Sequence, residues 1–432
     1  MKNMNREILN HILLLGAIVA VFVALYLRYG QNITLSFDEK IYYEIAQALL
    51  DGRSYTENTP LKWDIGEILM PGYSFIMFGF FYLFGNNLFS FIIFQTVLAG
   101  ISIYFFYLIA NRSIKINPYI ALLFTLMLLA YYPLWRQTFM TFKEVFTIIL
   151  MVPTIFYLHL FFKRGKPKDC VILYILFAIL VAVMNRYIAH VLLFTFALGI
   201  FIILKGGYKE VRLKHLLLSG FLFLAVMAPW HYRQYLVYDQ LVLFSPTRSE
   251  NASEPSDTKK EPVSYEEAKK TIMESGFSDY RKKQTLKNFT PELYQDLIDD
   301  YHERNTFEVF FSRLKGFFSV YENDFRLGYG TDSRFTPPAS LFNRLANTLV
   351  FGTCFLLMIP GLYFALKRRN YFILAMYIFF FSHVALHVYV HYLHRYRMTI
   401  LPITIIIAAW TFDILFKKIK VYMQQKKKPL SL

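Results

Sequence analysis

LMPGYSFIMFGFFYLFGNN, Leu69 to Asn87, is the stretch on which the topology of this 432-residue chain turns. It is nearly long enough to cross a bilayer, which takes about 20 apolar residues as a helix. If it crosses, Arg112 and Lys115, beyond the next apolar run, land outside. Short basic loops stay in the cytoplasm. The stretch therefore reads as a helix lying along or partly into the outer leaflet, started at Pro71 and ended near Gly85.

The rest of the chain supplies the membrane. With 56% hydrophobic and 19% aromatic residues and a mean hydropathy of +0.37, it is too apolar for a soluble protein of this length. The first apolar run, from about His11 to Tyr26, lacks a following small-residue cleavage site, so it reads as a retained first helix rather than a signal peptide. Cys170 and Cys354, the only cysteines, lie far apart and imply neither a disulfide framework nor a thiolate metal site.

A net charge of +16 suggests nucleic acid until it is divided by location. Residues 245–340 carry 14 Lys plus Arg against 17 Asp plus Glu, and the remainder 32 against 13. The excess sits in short connections: Lys2 and Arg6, Arg112 and Lys115, KRGKPK from Lys163, Lys205 to Lys214, KRR from Lys367, and the tail KKIKVYMQQKKK. Each belongs in the cytoplasm. The first helix then runs outward and leaves a first external loop over residues 30–87. Helices follow near 88–110, 118–134, 138–162, 170–186, 188–204 and 215–231, then near 343–366, 371–393 and 399–416. The expectation is an all-α polytopic bundle of about ten transmembrane helices with external surface helices. It divides into a membrane module over 1–244, an external loop subdomain over 245–340, and C-terminal helices with a basic tail over 341–432. In the loop subdomain, SYEEAKKTIMES reads as an amphipathic helix stopped at Gly276. A second helix starts at Thr290 and puts Phe307, Phe310, Phe311, Leu314, Phe317 and Phe318 on one face.

Polar residues gather on the external edge. Asp38 and Glu39 follow the first helix, and Arg136, Lys143 and Glu144 lie in WRQTFMTFKE between the third and fourth. Asn185, Arg186, Tyr187 and His190 lie between the fifth and sixth, Arg233 after the seventh, and Arg395 and Arg397 after the ninth. Charge at bilayer depth is costly, so such gathering at one level points to a cavity holding carboxylates among arginines. Flanking Arg and Tyr often only anchor helices at the interface, and that reading suits Arg28 and Arg344. It does not suit Glu144, where no helix-end role calls for an acid.

Four motifs occur in order over nearly the whole chain: SFDEKIYYEIAQALLDG (36–52), MPGYSF (70–75), APWHYRQYLVY (228–238) and HRYRMTILPI (394–403). This set resembles the polytopic GT-C glycosyltransferases, closest to the branch of protein O-mannosyltransferases and lipid A aminoarabinose transferases. In that family an acidic pair sits in the first external loop, as Asp38 and Glu39 do. A second acid, matched by Glu144, sits in another loop, and a proline-tryptophan helix end with Arg and a late Arg-Tyr are matched by Pro229, Trp230, Arg233, Arg395 and Tyr396. Gln234 stands where the family commonly has Asn, and Glu144 where it usually has Asp.

The resemblance implies transfer of a sugar from a polyprenyl-phosphate donor to a lipid, glycan or protein acceptor at the extracytoplasmic face, by inverting displacement. Asp38 is the candidate base, with Glu39 or Glu144 orienting the acceptor or substituting for it. The departing lipid phosphate needs positive charge in a dry site. Arg233, Arg395 and Arg397 are the candidates, with Tyr396, Arg136, Arg186 and Lys62 beside them. A stripe of His383, His387, His391 and His394 reads as one helical face, for which bundle packing explains the first pair. His391 and His394 are candidates for the phosphate or for a divalent cation bridging it, which activity lost on chelation and restored by one metal would support. The alternative is a transporter or flippase of lipid-linked sugars, which ought to show polar residues along a path through the bilayer or repeated halves. The Lys- and Ile-rich, Cys-poor composition leans toward a bacterial plasma membrane, with membrane lipids and no nucleic acid as partners.

Overall fold

The computed structural model describes residues 2–29, 37–53, 55, 71–131, 134–135, 138, 143–238, 341–389 and 394–426. Among them are twelve α-helices and no strand. Seven are long and apolar enough to cross a membrane. They are α1 (Lys2–Tyr29), α4 (Leu88–Leu108, prolonged by a π turn over Ile109–Ser113), α6 (Lys143–Arg164), α8 (Tyr187–Lys205), α9 (Leu213–Tyr238), α10 (Leu341–Lys367) and α12 (His394–Lys426). Three shorter apolar helices complete the bundle: α5 (Pro118–Leu129), α7 (Pro167–Val183) and α11 (Tyr371–Tyr389). This is a multi-pass helical membrane protein: the sequence reading expects about ten spans, and among the described residues seven helices are long and apolar enough to cross. The loop subdomain over 245–340 lies outside the described residues, together with its two expected helices and Lys62 and Arg136.

Leu69–Asn87 contributes one short helix, α3 (Gly72–Phe84), capped by Pro71 and ended at Gly85, whose φ of +89° only glycine adopts without strain. Thirteen residues span about 20 Å, too little for a hydrocarbon core of about 30 Å. One side of α3 is buried through Tyr73, Met77, Phe80 and Phe81, against Tyr42 and Ala46 of α2 (Phe37–Leu50), Phe91 of α4, Phe146 of α6 and Val183 of α7. The other exposes Tyr82, Leu83 and Phe84.

The centre of the bundle is α12, which packs on α5, α6, α10 and α11. From Met398 to Thr411 every residue is buried, as expected of a helix apolar all round. Several helices close on local polar groups that satisfy the unpaired amides of their first turn. Asn117 accepts from the Tyr119 amide at 3.0 Å with Pro118 as the first helical residue of α5, and Asn87 accepts from Ser90 at 3.0 Å at the start of α4. Expected boundaries moved where such groups intervene. Helix α5 stops at Leu129 rather than near 134 because the Trp135 indole donates to the Leu129 carbonyl at 2.5 Å. Helix α6 is described from Lys143. Glu144 thus stands in the first turn of a helix, where a carboxylate favours the dipole, and the sequence argument that no helix end asks for an acid there is corrected.

At the end of the bundle where α6 finishes, the connections carry Arg112, Lys163, Arg164, Lys205, Arg212, Lys367 and Arg368. Arg112 bridges to Glu7 of α1 at 2.8 Å, and the Lys209 ammonium donates to the Phe162 carbonyl at 3.0 Å. The Asp413 carboxylate of α12 accepts from the Asn117 amide at 3.3 Å, just ahead of α5.

Candidate active site at one end of the bundle

The opposite end collects the start of α2, the starts of α6, α8 and α12, and the ends of α9 and α11. Helix α2 carries Asp38 and Glu39 in its first turn. Three and four residues further on, Ile41 and Tyr42 share its face with Asp38 but pack in two directions. Tyr42 meets Tyr73 edge-on at 5.0 Å, and the Lys143 ammonium lies 5.7 Å from the Tyr42 ring centre. Lys143 is the residue before Glu144. Ile41 and Ile45 pack with Tyr55 and Trp230, close to Arg233. Asp38 therefore sits at the head of a helix wedged between the element bearing Glu144 and the element bearing Arg233.

Glu144 is 1% exposed and lies within electrostatic range of the Tyr187 hydroxyl. Tyr187 opens α8 and donates to the Thr399 carbonyl at 3.1 Å, two residues past Arg397. This bond fixes the start of α12, and with it the backbone positions of His394, Arg395, Tyr396 and Arg397. Beneath it, His190 Nε2 and His383 Nδ1 lie 3.0 Å apart, both buried. Replacing His190 by Leu removes that bond and costs about 1 kcal/mol. The double replacement H190L/H383L recovers most of the loss, as read from thermal unfolding in detergent.

The histidine stripe does not survive as one face. Helix α11 ends at Tyr389 and α12 begins at His394, so His383 and His387 stand on one helix and His394 on the next, and His391 lies outside the described residues. His383 is in bundle packing, as expected, with His190 as its partner. Among the described residues no three His, Cys, Asp or Glu side chains gather as a metal site.

Arg233 lies 5.0 Å from the Trp230 ring centre and 5.4 Å from that of Tyr55. Tyr55 meets Trp230 edge-on at 5.1 Å and stacks on Phe75 of α3 at 6.0 Å. Burial holds its phenol far above the ordinary tyrosine range, although Ser74 and the Arg233 charge draw it partly back. Arg186, half-buried, directly precedes α8. Sequence reading missed Tyr42, Tyr55 and the pairing of Lys143. Tyr55 stands in the polar run SYTENTP, where nothing marks it as a buried residue.

The fold of this multi-pass bundle is shared with two solved archaeal oligosaccharyltransferases. Residues 70–232 match the family model described as dolichyl-phosphate-mannose-protein mannosyltransferase. No curated protein matches the chain by sequence. Among solved structures, the oligosaccharyltransferase AglB from Archaeoglobus fulgidus, in complex with an inhibitory peptide and a dolichol-phosphate, superposes with a TM-score of 0.52 at 11% identity, covering 97% of this chain and 52% of its own. An oligosaccharyltransferase from the same organism, complexed with Zn and sulfate, gives 0.51 at 14% identity over 93% and 49%. ArnT from Cupriavidus metallidurans bound to undecaprenyl phosphate gives 0.42 at 13% identity over 93% and 77%. The chain spans about half the length of the archaeal enzymes it matches.

Proposed function

We propose that this protein is a membrane glycosyltransferase that moves a sugar from a polyprenyl phosphate to a hydroxyl or phosphate of a lipid, glycan or protein acceptor. The observation that carries the reading is the wedged placement of α2 between Glu144 and Arg233, which gathers acids and arginines at one end of a GT-C bundle. The family model and the dolichol-phosphate bound by the archaeal enzyme support the lipid carrier. The basic connections at the opposite end support placing that end in the cytoplasm and the site outside.

In the proposed reaction the acceptor oxygen attacks the anomeric carbon, the bond from that carbon to the phosphate oxygen breaks, and the configuration inverts. Asp38 takes the acceptor's proton as the new bond forms. Glu39 or Glu144 orients the acceptor. Arg233, Arg395 and Arg397 take up the charge of the leaving polyprenyl phosphate, with Tyr396, His394, Arg136, Arg186 and Lys62 at the margin. Each of these roles, and the division into modules 1–244, 245–340 and 341–432, belongs to the proposal.

Deleting the gene is expected to remove one sugar from a surface glycan, lipid or protein and to raise the pool of one polyprenyl-phosphate sugar, both read by mass spectrometry. An unchanged donor pool with the donor lipid stranded on the cytoplasmic side would favour a flippase instead. The accumulating lipid also names the sugar.

A further inference from the structure

Arg233 stands five residues before the end of α9, where an arginine side chain has many rotamers. Two aromatic faces restrict it here, one from its own helix and one from the first connecting segment. Trp230 is three residues back on α9, so the pair shares one helical face by local geometry. Tyr55 comes from far away in sequence, and it is 7% exposed although its segment is otherwise polar. Its ring also packs against two further elements, through Phe75 of α3 and Ile41 and Ile45 of α2.

We propose that Tyr55 is a positioning residue that acts through Arg233, its ring face and that of Trp230 aiming the guanidinium at the lipid phosphate and tying its placement to the helix that carries Asp38. The inference rests on the phosphate role proposed for Arg233. The attraction is that of a cation for a ring face, strengthened where water is excluded. The phenol is held neutral by burial, so the ring quadrupole rather than a tyrosinate charge supplies it. Tyr55 thus joins both halves of the reaction: when its ring seats, α2 is packed and Arg233 is aimed in the same step.

The test is binding of polyprenyl monophosphate to the purified full chain in detergent. Tyr55→Leu keeps apolar bulk without a ring face and is expected to weaken binding about ten-fold, whereas Tyr55→Phe keeps the face and weakens it less than about three-fold. Where the Leu variant fails to fold, phenylalanines of increasing fluorination at position 55 keep the shape and drain the ring face, and binding should weaken stepwise. Arg233→Met should weaken binding about thirty-fold, and Tyr55→Leu should add nothing in that background. Equal binding by the Leu and Phe variants, no trend on fluorination, or an undiminished Tyr55→Leu effect without Arg233 overturns the positioning role alone. Unchanged binding by Arg233→Met overturns the phosphate role beneath it, a result the Tyr55 variants by themselves do not produce.

Discussion

Asp38→Asn is expected to lower sugar transfer by about 10²- to 10⁴-fold, the range of a lost general base, with the protein still folded. The substitution is well suited to its question because of where Asp38 stands. It lies in the first turn of α2, where a carboxylate also has a bland use in favouring the helix dipole. Asparagine is a good residue at helix starts and nearly matches aspartate in shape, so it keeps local hydrogen bonding and gives up basicity. Donor consumption by purified protein, followed beside its thermal unfolding, separates the two roles. Transfer at the normal rate by folded Asp38→Asn would remove Asp38 as the base. Glu39→Gln is expected to be milder, since Glu39 stands one position round the helix from Asp38.

Glu144 bears on the same assignment from the other side. Its place in the first turn of α6 supplies a structural reason for an acid, but an exposed carboxylate serves a helix dipole as well as a buried one. Glu144 is almost wholly buried, beside Tyr187, in the element whose Lys143 meets Tyr42. Burying a charge there is costly unless the surroundings answer it, and the dipole alone does not require that cost.

What was legible in the sequence follows from the range of the interactions that decide each feature. The lengthwise helices were legible because apolar runs and basic connections are local signals, and α3 because Pro71 and Gly85 punctuate it. The break between α11 and α12 was read a few residues late, with the second helix starting near 399 rather than at His394, since VYVHYLH holds neither glycine nor proline. The histidine stripe was read across that break for the same reason. The early stop of α5 was hidden because it depends on the Trp135 indole folding back on Leu129. In the site, Asp38, Glu144 and Arg233 stood out as charges beside apolar runs. Tyr55 and the His190 to His383 contact did not, because each is defined by a partner well over a hundred residues away.

Gly72→Ala and Gly79→Ala, two identical changes within one helix, are expected to move stability in opposite directions. A Cβ on Gly72 would stand 2.6 Å from the Ala182 carbonyl carbon and oxygen and 2.7 Å from the Val183 amide nitrogen. These are backbone atoms at the end of α7, which cannot swing aside as a side chain would. Overpacking of this kind costs about 1–3 kcal/mol, and here relief requires α3 to retreat. Tyr73, the next residue, would carry the displacement to Tyr42 and so to the helix of Asp38. Gly72→Ala should therefore lower the unfolding temperature and transfer activity together. At Gly79 a Cβ meets nothing within 4 Å, so alanine only removes backbone freedom and adds about 0.5–1 kcal/mol of helix stability. Thermal unfolding of both variants in the same detergent makes the comparison. A Gly72→Ala protein as stable as the parent would mean that α3 does not lie against α7, and the wedge that places Asp38 would lose its support.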